Sequence, residues 1–158
     1  MFNLSRTLNK RIDRIHERGL RIVYNDYLSS YDELLAKHGT VRIHHRNIQL
    51  VAVEMFKVKN DLAPQLMQCL FEINRNAKPG QQTFIIPKVK SVYMGKLSLR
   101  YFGPVVWETM LPKEFKEIET LHKFKEEIKK WVPNCKCRLC ETWVQGVGKV
   151  DVAIPIYK

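Results

Sequence analysis

The apolar positions of residues 43–59 recur at helical spacing and cover most of the circumference of the helix they predict. Five positions fall on one side: Ile48, Val51, Ala52, Met55 and Lys59. Four apolar residues spread around the remainder: Leu50, Val53, Phe56 and Val58. A helix that is apolar on nearly all sides is usually buried on several of them. We therefore expect Ile43–Lys59 to be the central helix of the fold.

Two helices are predicted before this central helix. The first, Leu4–Tyr24, is amphipathic, and its apolar stripe is formed by Leu8, Ile12, Ile15, Gly19, Ile22 and Val23. Ser30 and Glu33 have the spacing of a capping box, in which a hydroxyl and a carboxylate bind free backbone N–H groups at a helix start. We expect a short helix, Tyr31–His38, to begin there and to stop at Gly39.

Three further helices are predicted after the central one. Pro64 begins a short helix, whose expected buried side is Leu66, Met67, Leu70 and Phe71, with Cys69 in or near the core. Ser98 caps a second, in which helical spacing joins Leu99, Phe102, Val106 and Met110. Pro104 either kinks that helix or marks its true start, and Pro112 closes it. Thr120 caps the third, whose apolar side is Leu121, Phe124, Ile128 and Trp131.

The pattern changes in residues 74–96. Thr83–Ile86 has clear strand preference, and Val89–Tyr93 can pair with it as a small β-hairpin. The expected fold is therefore mainly α: a compact multi-helix domain of residues 1–132 with one small hairpin, followed by a cysteine-containing tail, residues 133–158. This middle segment also carries five basic residues and no acidic one: Arg75, Lys78, Lys88, Lys90 and Lys96.

Composition indicates the chemistry of a partner. The chain of 158 residues is 45% hydrophobic, enough to bury a core, and its net charge is +11. That charge favours a polyanion such as nucleic acid or an anionic membrane surface. No apolar run approaches the roughly 20 residues that span a bilayer, and the first residues lack the apolar core of a secretion signal. We expect an intracellular protein, cytoplasmic or nuclear, with no membrane role.

The basic side of the first helix is the candidate nucleic-acid site. Lys10, Arg14, Arg18 and Arg21 recur at helical spacing, with Arg11 alongside. Such a ridge can lie along phosphates, where each contact adds a salt-dependent contribution to affinity. The alternative is a solvated side, partly neutralised by Asp13 and Glu17.

Cys135, Cys137 and Cys140 form the candidate metal site. Thiolates at this close spacing can converge on one ion, and zinc is the metal they favour. Zinc prefers four ligands, and only three cysteines lie here, so the fourth ligand is unknown. Cys69, a histidine such as His122, or a second chain could supply it. The alternative is three reduced thiols in a terminal loop.

No catalytic motif is recognisable. The sequence has no nucleophile elbow, no phosphate-binding glycine loop and no His-Glu-x-x-His. His44 and His45 are adjacent and point to different sides of a helix, so we expect them to be structural. Tyr24–Tyr27 superficially resembles the Tyr-x-Asp-Asp turn of polymerases, but it ends in tyrosine and lies at a helix end, so we reject it as a catalytic site.

Five phrases, in order, resemble the carboxy-terminal region of reverse transcriptases from jockey-like non-LTR retrotransposons. They are LNKRIDRIHERGLRIVYNDYLSSYDELL (Leu8–Leu35), IHHRNIQL (Ile43–Leu50), FKVKNDLAP (Phe56–Pro64), SLRYFGPVVWETMLP (Ser98–Pro112) and WVPNCKCRLC (Trp131–Cys140). In those RNA-directed DNA polymerases this region comprises the thumb, the segment after it and a short cysteine-containing tail. One departure is that the Asn-Leu-Arg phrase of many members is degraded here to Ile73-Asn74-Arg75-Asn76.

The resemblance implies a partner and a limit. The first helix would be a thumb helix that lies along RNA or an RNA–DNA hybrid and contacts its backbone without reading bases. The fingers and palm are missing, and with them the metal-binding carboxylates, so we expect no catalysis unless another chain supplies a palm. A different class of function stays open: a structural or protein-interaction module stapled by zinc, whose charge serves solubility.

Overall fold

The protein is mainly helical, as the sequence pattern predicts. A computed structural model describes residues 6–74, 76, 82–90, 95 and 98–133. In chain order the helices are α1 (Arg6–Tyr24), α2 (Tyr31–Lys37), α3 (Ile43–Lys59), α4 (Gln65–Gln68), α5 (Leu99–Val105), a π-helical turn (Val106–Met110), α6 (Lys113–Lys116) and α7 (Leu121–Lys130). Five of the expected helices are thus observed at or near their predicted bounds.

The described residues fall into two compact units. Those up to Asn47 belong to unit 1, which holds α1 and α2, and residues 48–133 form unit 2. Helix α3 begins in the first unit and contributes most of its length to the second.

The ends of α1, α2 and α3 share one geometry. Each is followed by a residue with positive φ: Asn25 at 50°, Gly39 at 58° and Asp61 at 55°. In each case the next N–H bonds to a carbonyl five residues earlier, as when Leu62 N donates to the Lys57 oxygen at 2.8 Å. These are Schellman-type ends, which satisfy carbonyls that the helix leaves free. The predicted capping box at the start of α2 is also present: Ser30 N donates to Glu33 Oε2 at 2.7 Å, and Glu33 N donates to Ser30 Oγ at 3.3 Å.

Aromatic rings from α3, the π-helical turn, α7 and the loops form the core of unit 2. Phe56 stacks on Phe124 with ring centres 4.4 Å apart, and Trp107 lies 6.1 Å from Phe124. Phe84 makes edge contacts with Trp107 at 5.8 Å and with Phe71 at 6.0 Å. Most of the apolar residues predicted for the central helix are buried against this cluster; Leu50 is the exception and is about half exposed.

Gln49 is a buried residue of α3 that the apolar pattern did not indicate. Its side chain is only 1% exposed. The amide Nε2 donates to the Trp131 carbonyl at 2.6 Å and, more weakly, to the Lys129 carbonyl at 3.4 Å. These carbonyls lie at the end of α7, where no helical N–H reaches them. Gln49 therefore satisfies the end of α7 from within the core.

Pro104 lies inside α5, so the helix starts at Leu99 rather than at the proline. Proline removes one helical N–H and crowds the preceding turn. The chain widens into the π-helical turn immediately afterwards, and Trp107 of that turn is fully buried. Ser98 occupies the predicted cap position, but its hydroxyl donates to the Gly95 carbonyl at 2.6 Å instead of capping the helix.

The predicted β-hairpin is not confirmed. The described residues contain no strand; Phe84 instead forms a single antiparallel bridge with Ile73. The backbone bonds are Asn74 N to Thr83 O, 2.8 Å, and Ile85 N to Glu72 O, 3.0 Å. The physical reason is that Phe84 belongs to the core of unit 2. Its ring is fully buried, and the Phe84 backbone N–H donates to a Glu108 carboxylate oxygen at 2.7 Å. Most of the proposed partner segment, residues 91–93, lies outside the described residues.

The expected buried side of the helix after Pro64 is largely wrong. Only Phe71 is buried, whereas Leu66 is 84% exposed and Leu70 is also exposed. Cys69, expected in or near the core, is an exposed free thiol. Helix α4 spans only four residues, so it has no continuous side to bury. Its neighbour Pro64 occupies the cap position rather than the first turn.

Candidate nucleic-acid interface

Polar and aromatic contacts hold α1 in unit 1. His16 Nδ1 lies 2.7 Å from the Tyr31 hydroxyl of α2, and the two rings meet edge to face. The Arg42 guanidinium lies 5.2 Å from the centre of the Tyr31 ring and pairs with Asp32. At the other end of α1, Tyr24 stacks on His38 with ring centres 3.4 Å apart. These contacts fix which side of α1 faces inward.

The inward side of α1 carries titratable groups whose burial favours their neutral forms. Burial lowers the pKa of His16, although the nearby Asp13 carboxylate opposes this. Burial likewise raises the pKa of Asp13, against the opposing effects of Arg42, His16 and His44. Burial also raises the pKa of Tyr31, the α2 residue that faces His16, so the Tyr31 hydroxyl stays protonated near neutral pH.

Four predicted phosphate contacts lie on the outward side of α1. Lys10, Arg11, Arg14 and Arg18 are all exposed, and none forms an ion pair with a described residue. Lys10, Arg14 and Arg18 lie on successive turns, so the row extends for about 12 Å along the helix axis. These side chains are free to reach an anion, and the structure brings them together as the sequence predicted.

Arg21, the fifth predicted contact, is placed differently. Its Nη2 donates to Glu17 Oε1 at 2.8 Å, and its Nη1 donates to the Tyr27 carbonyl at 2.7 Å. It is therefore engaged in closing the last turn of α1 onto the following loop. Its position in the last turn is a signal for this role, because basic side chains there often bind free carbonyls.

The acidic residues expected to neutralise the row do not reach it. Glu17 is bound by Arg21, and Asp13 lies half-buried on the inward side. The solvated-side alternative assumed that both would offset the basic row. Their observed placement leaves Lys10, Arg11, Arg14 and Arg18 as a patch of positive charge.

The apolar stripe of α1 is largely exposed. Ile15 is 68% and Ile22 70% exposed, and Val23 is similarly open. The side of α1 that packs in unit 1 instead contains the half-buried His16 and Leu20. The amphipathic pattern correctly predicted a helix, but the stripe does not mark the side that this chain covers.

Two further sets of basic residues lie in unit 2. Lys88 and Lys90 are exposed, whereas Arg75, Lys78 and Lys96 lie outside the described residues. On α7 four lysines are exposed: Lys123, Lys125, Lys129 and Lys130. Lys130 pairs with Glu127 at 2.8 Å, so this second set is mixed with acidic residues.

The candidate metal ligands Cys135, Cys137 and Cys140 lie outside the described residues. Two of the residues considered as a fourth ligand are described: Cys69 is exposed, and His122 pairs with Glu126 at 3.4 Å. Within the described part of the chain, no three His, Cys, Asp or Glu side chains are grouped to hold a metal ion.

The carboxylate of Asp26, in the turn that superficially resembles a polymerase site, is bound by its own loop and by Lys37 of α2. It accepts bonds from Ser29 N at 3.1 Å, the Ser29 hydroxyl at 2.8 Å and Lys37 Nζ at 2.8 Å. These bonds, led by that of Lys37, hold the pKa of Asp26 well below its usual value.

The two adjacent histidines, His44 and His45, have ring centres 5.9 Å apart and inclined planes.

Comparisons of the chain with protein families, curated proteins and solved structures find no match. Among the described helices, none is both long and apolar enough to cross a membrane. The candidate site therefore rests on its own geometry: an exposed row of four cations on a helix whose opposite side is fixed by polar contacts.

Proposed function

We propose that this protein binds the phosphate backbone of RNA or an RNA–DNA hybrid through Lys10, Arg11, Arg14 and Arg18 of α1. The observation that carries the proposal is the row of four exposed cations with no ion-pair partner among the described residues. Each cation that meets a phosphate releases counterions, which makes the affinity depend steeply on salt.

The resemblance to retrotransposon reverse transcriptases supports this choice of nucleic acid. Under it, the chain corresponds to the thumb and post-thumb part of an RNA-directed DNA polymerase and has no catalysis of its own. The resemblance also implies a helix whose cations contact the backbone without reading bases. We therefore expect binding that discriminates little between sequences.

The test is the salt dependence of binding to a fluorescent RNA–DNA hybrid. Replacing Lys10, Arg11, Arg14 and Arg18 by Gln should make the slope of log affinity against log salt shallower by about 3, over roughly 50 to 300 mM salt. Two hybrids of unrelated sequence should bind with similar affinity.

The matched control removes the same charge elsewhere. Replacing the four exposed lysines of α7, Lys123, Lys125, Lys129 and Lys130, by Gln lowers the net charge equally. This variant should change the slope by less than about 1. An unchanged slope in the α1 variant, or an equal loss in both, would exclude α1 as the binding surface.

A further inference from the structure

The exposed stripe of α1 has the spacing of a coiled-coil seam. Its residues Leu8, Ile12, Ile15, Gly19 and Ile22 are separated by four, three, four and three positions. This is the alternation of the a and d positions of a heptad repeat, with Ile12 and Gly19 at a. A seam of this kind packs against the matching seam of another helix.

Most of the seam is exposed, and Ile12 is its half-buried member. Ile15 and Ile22, both at d positions, are about two-thirds exposed, while α1 contacts α2 through His16, which bonds to Tyr31. The residue between the two isoleucines, Gly19, is also open: a Cβ built there would meet nothing within 4 Å. Glycine inside a helix costs about 1 kcal/mol relative to alanine. At this position it also lets another helix approach closely.

The charges beside the seam restrict its occupant. Arg11 and Arg18 occupy the g positions, and both are exposed without an ion pair to any described residue. The e and g positions of a coiled coil set partner choice, because they meet across the interface. Carboxylates are the groups that complement these two guanidinium groups.

A second copy of this chain does not provide those carboxylates. The e positions are Asn9, His16 and Val23, and the g positions are Arg11, Arg18 and Asn25. An antiparallel pair of α1 helices would set arginine against arginine, and a parallel pair would set Arg11 against His16. Like charges disfavour the antiparallel pair. In the parallel pair His16, whose pKa is lowered by burial, offers Arg11 no carboxylate.

We propose that α1 is a docking surface for an amphipathic helix of another protein, with apolar residues at its a and d positions and Asp or Glu at its e and g positions. Ile15 and Ile22 contact the apolar seam of that helix, and Arg11 and Arg18 pair with its carboxylates. This interaction is separate from the proposed binding of nucleic acid, although the two share these arginines and would compete.

The probe is a synthetic peptide of about 21 residues with Leu at a and d and Glu at e and g, compared with a twin that carries Lys at e and g. The peptides are titrated into the full chain by fluorescence anisotropy. We expect the Glu peptide to bind at least about tenfold more tightly than the Lys peptide. Replacing Arg11 and Arg18 by Glu should reverse this preference.

A second variant separates this proposal from the proposed function. Ile15→Ser with Ile22→Ser should abolish peptide binding and leave the affinity for the RNA–DNA hybrid unchanged, since neither side chain belongs to the basic row. Leu66→Ser, at another exposed apolar position, is the control and should bind peptide normally. Circular dichroism verifies that each variant is folded.

Three outcomes would overturn the docking proposal. One is equal affinity for the two peptides. Another is dimerisation of the chain that depends on Ile15 and Ile22, which would make a second copy the occupant. The third is Ile15- and Ile22-dependent binding to phosphatidylserine vesicles without selection between the peptides, which would identify a lipid surface.

Discussion

The contacts within unit 1 differ in chemistry from those within unit 2. In unit 1, Leu34 and Leu35 of α2 are buried, but α1 is held by polar and aromatic contacts between neighbouring segments, such as His16 with Tyr31 and Tyr24 with His38. Unit 2 relies on rings packed in a buried core, with Phe56, Trp107 and Phe124 at its centre. Burial of apolar surface is the larger source of stability, whereas a polar contact contributes modestly because water competes for the same groups.

The long helices show the same contrast. Helix α3 is apolar on most sides, and unit 2 buries nearly all of that surface. Helix α1 has a clear apolar stripe, yet it turns a polar side inward and leaves Ile15 and Ile22 in solvent. The difference teaches that an apolar stripe identifies a helix and a surface suited to burial, without saying whether the same chain covers it.

The largest expected effect comes from opening the core of unit 2. Phe124→Ala removes a fully buried ring stacked on Phe56, so it should lower the free energy of unfolding by about 3–5 kcal/mol. Urea titration followed by circular dichroism measures the change. Leu66→Ala, at an 84% exposed position, is the control and should change stability by less than about 0.5 kcal/mol.

If Phe124→Ala prevents folding, Phe124→Leu keeps the test measurable, since it leaves a smaller cavity. A loss below about 1 kcal/mol in Phe124→Ala would contradict the assignment of this ring to the core.

Replacing a helical glycine by alanine should change stability by a smaller amount, and with opposite sign in the two units. A Cβ at Gly103 of α5 would lie 2.5 Å from Met55 Sδ and 3.3 Å from the Phe71 ring, so Gly103→Ala should destabilise by about 1–3 kcal/mol. At Gly19 of α1 the space is open, and Gly19→Ala should stabilise by about 0.5–1 kcal/mol through helix propensity alone. Paired thermal melts test both; if both variants moved in the same direction, the contrast in packing would be wrong.

The smallest expected effect is a pH dependence confined to unit 1. The pKa of His16 is lowered in the folded state, so the unfolded chain binds more protons near the usual value of about 6.5. Stability should therefore fall as the pH drops through that value. Asp13 and Tyr31 face this histidine, and Arg42 acts on Asp13 and lies over the Tyr31 ring. The raised pKa of Asp13 acts in the opposite sense at more acidic pH.

Amide exchange of α1 and α2, corrected for intrinsic rates, measures this effect between about pH 7.5 and about pH 5.5. His16→Gln should remove most of the dependence, whereas His122→Gln, at an exposed position of α7, should leave it unchanged. Equal pH dependence in the wild type and His16→Gln would assign the effect to other groups.

The helices could be predicted because their signals are local. The Ser30–Glu33 capping box and the left-handed Gly39 depend on residues a few positions apart, and both are observed. The Phe84 bridge could not, since the position of Phe84 depends on Trp107 and Glu108, more than twenty residues away. Gln49 was missed for the same reason: its bonds reach carbonyls about eighty positions away.

In the candidate site, too, local features could be predicted and features that depend on tertiary contacts could not. Helical spacing was enough to align Lys10, Arg14 and Arg18, because a row on one helix is a local property. It could not assign Arg21, whose position depends on how the loop at Tyr27 folds back. Nor could it say which side of α1 is inward, since that is decided by the contact between His16 and Tyr31.

The sequence separation of these contacts also sets an order during synthesis. His16 and Tyr31 are 15 positions apart, so α1 and α2 can meet soon after they leave the ribosome. Gln49 and Trp131 are 82 positions apart. At roughly 5–20 residues per second, the apolar surface of α3 waits several seconds for α7 to arrive. Throughout that interval the nascent chain presents the rings and aliphatic side chains that chaperones recognise.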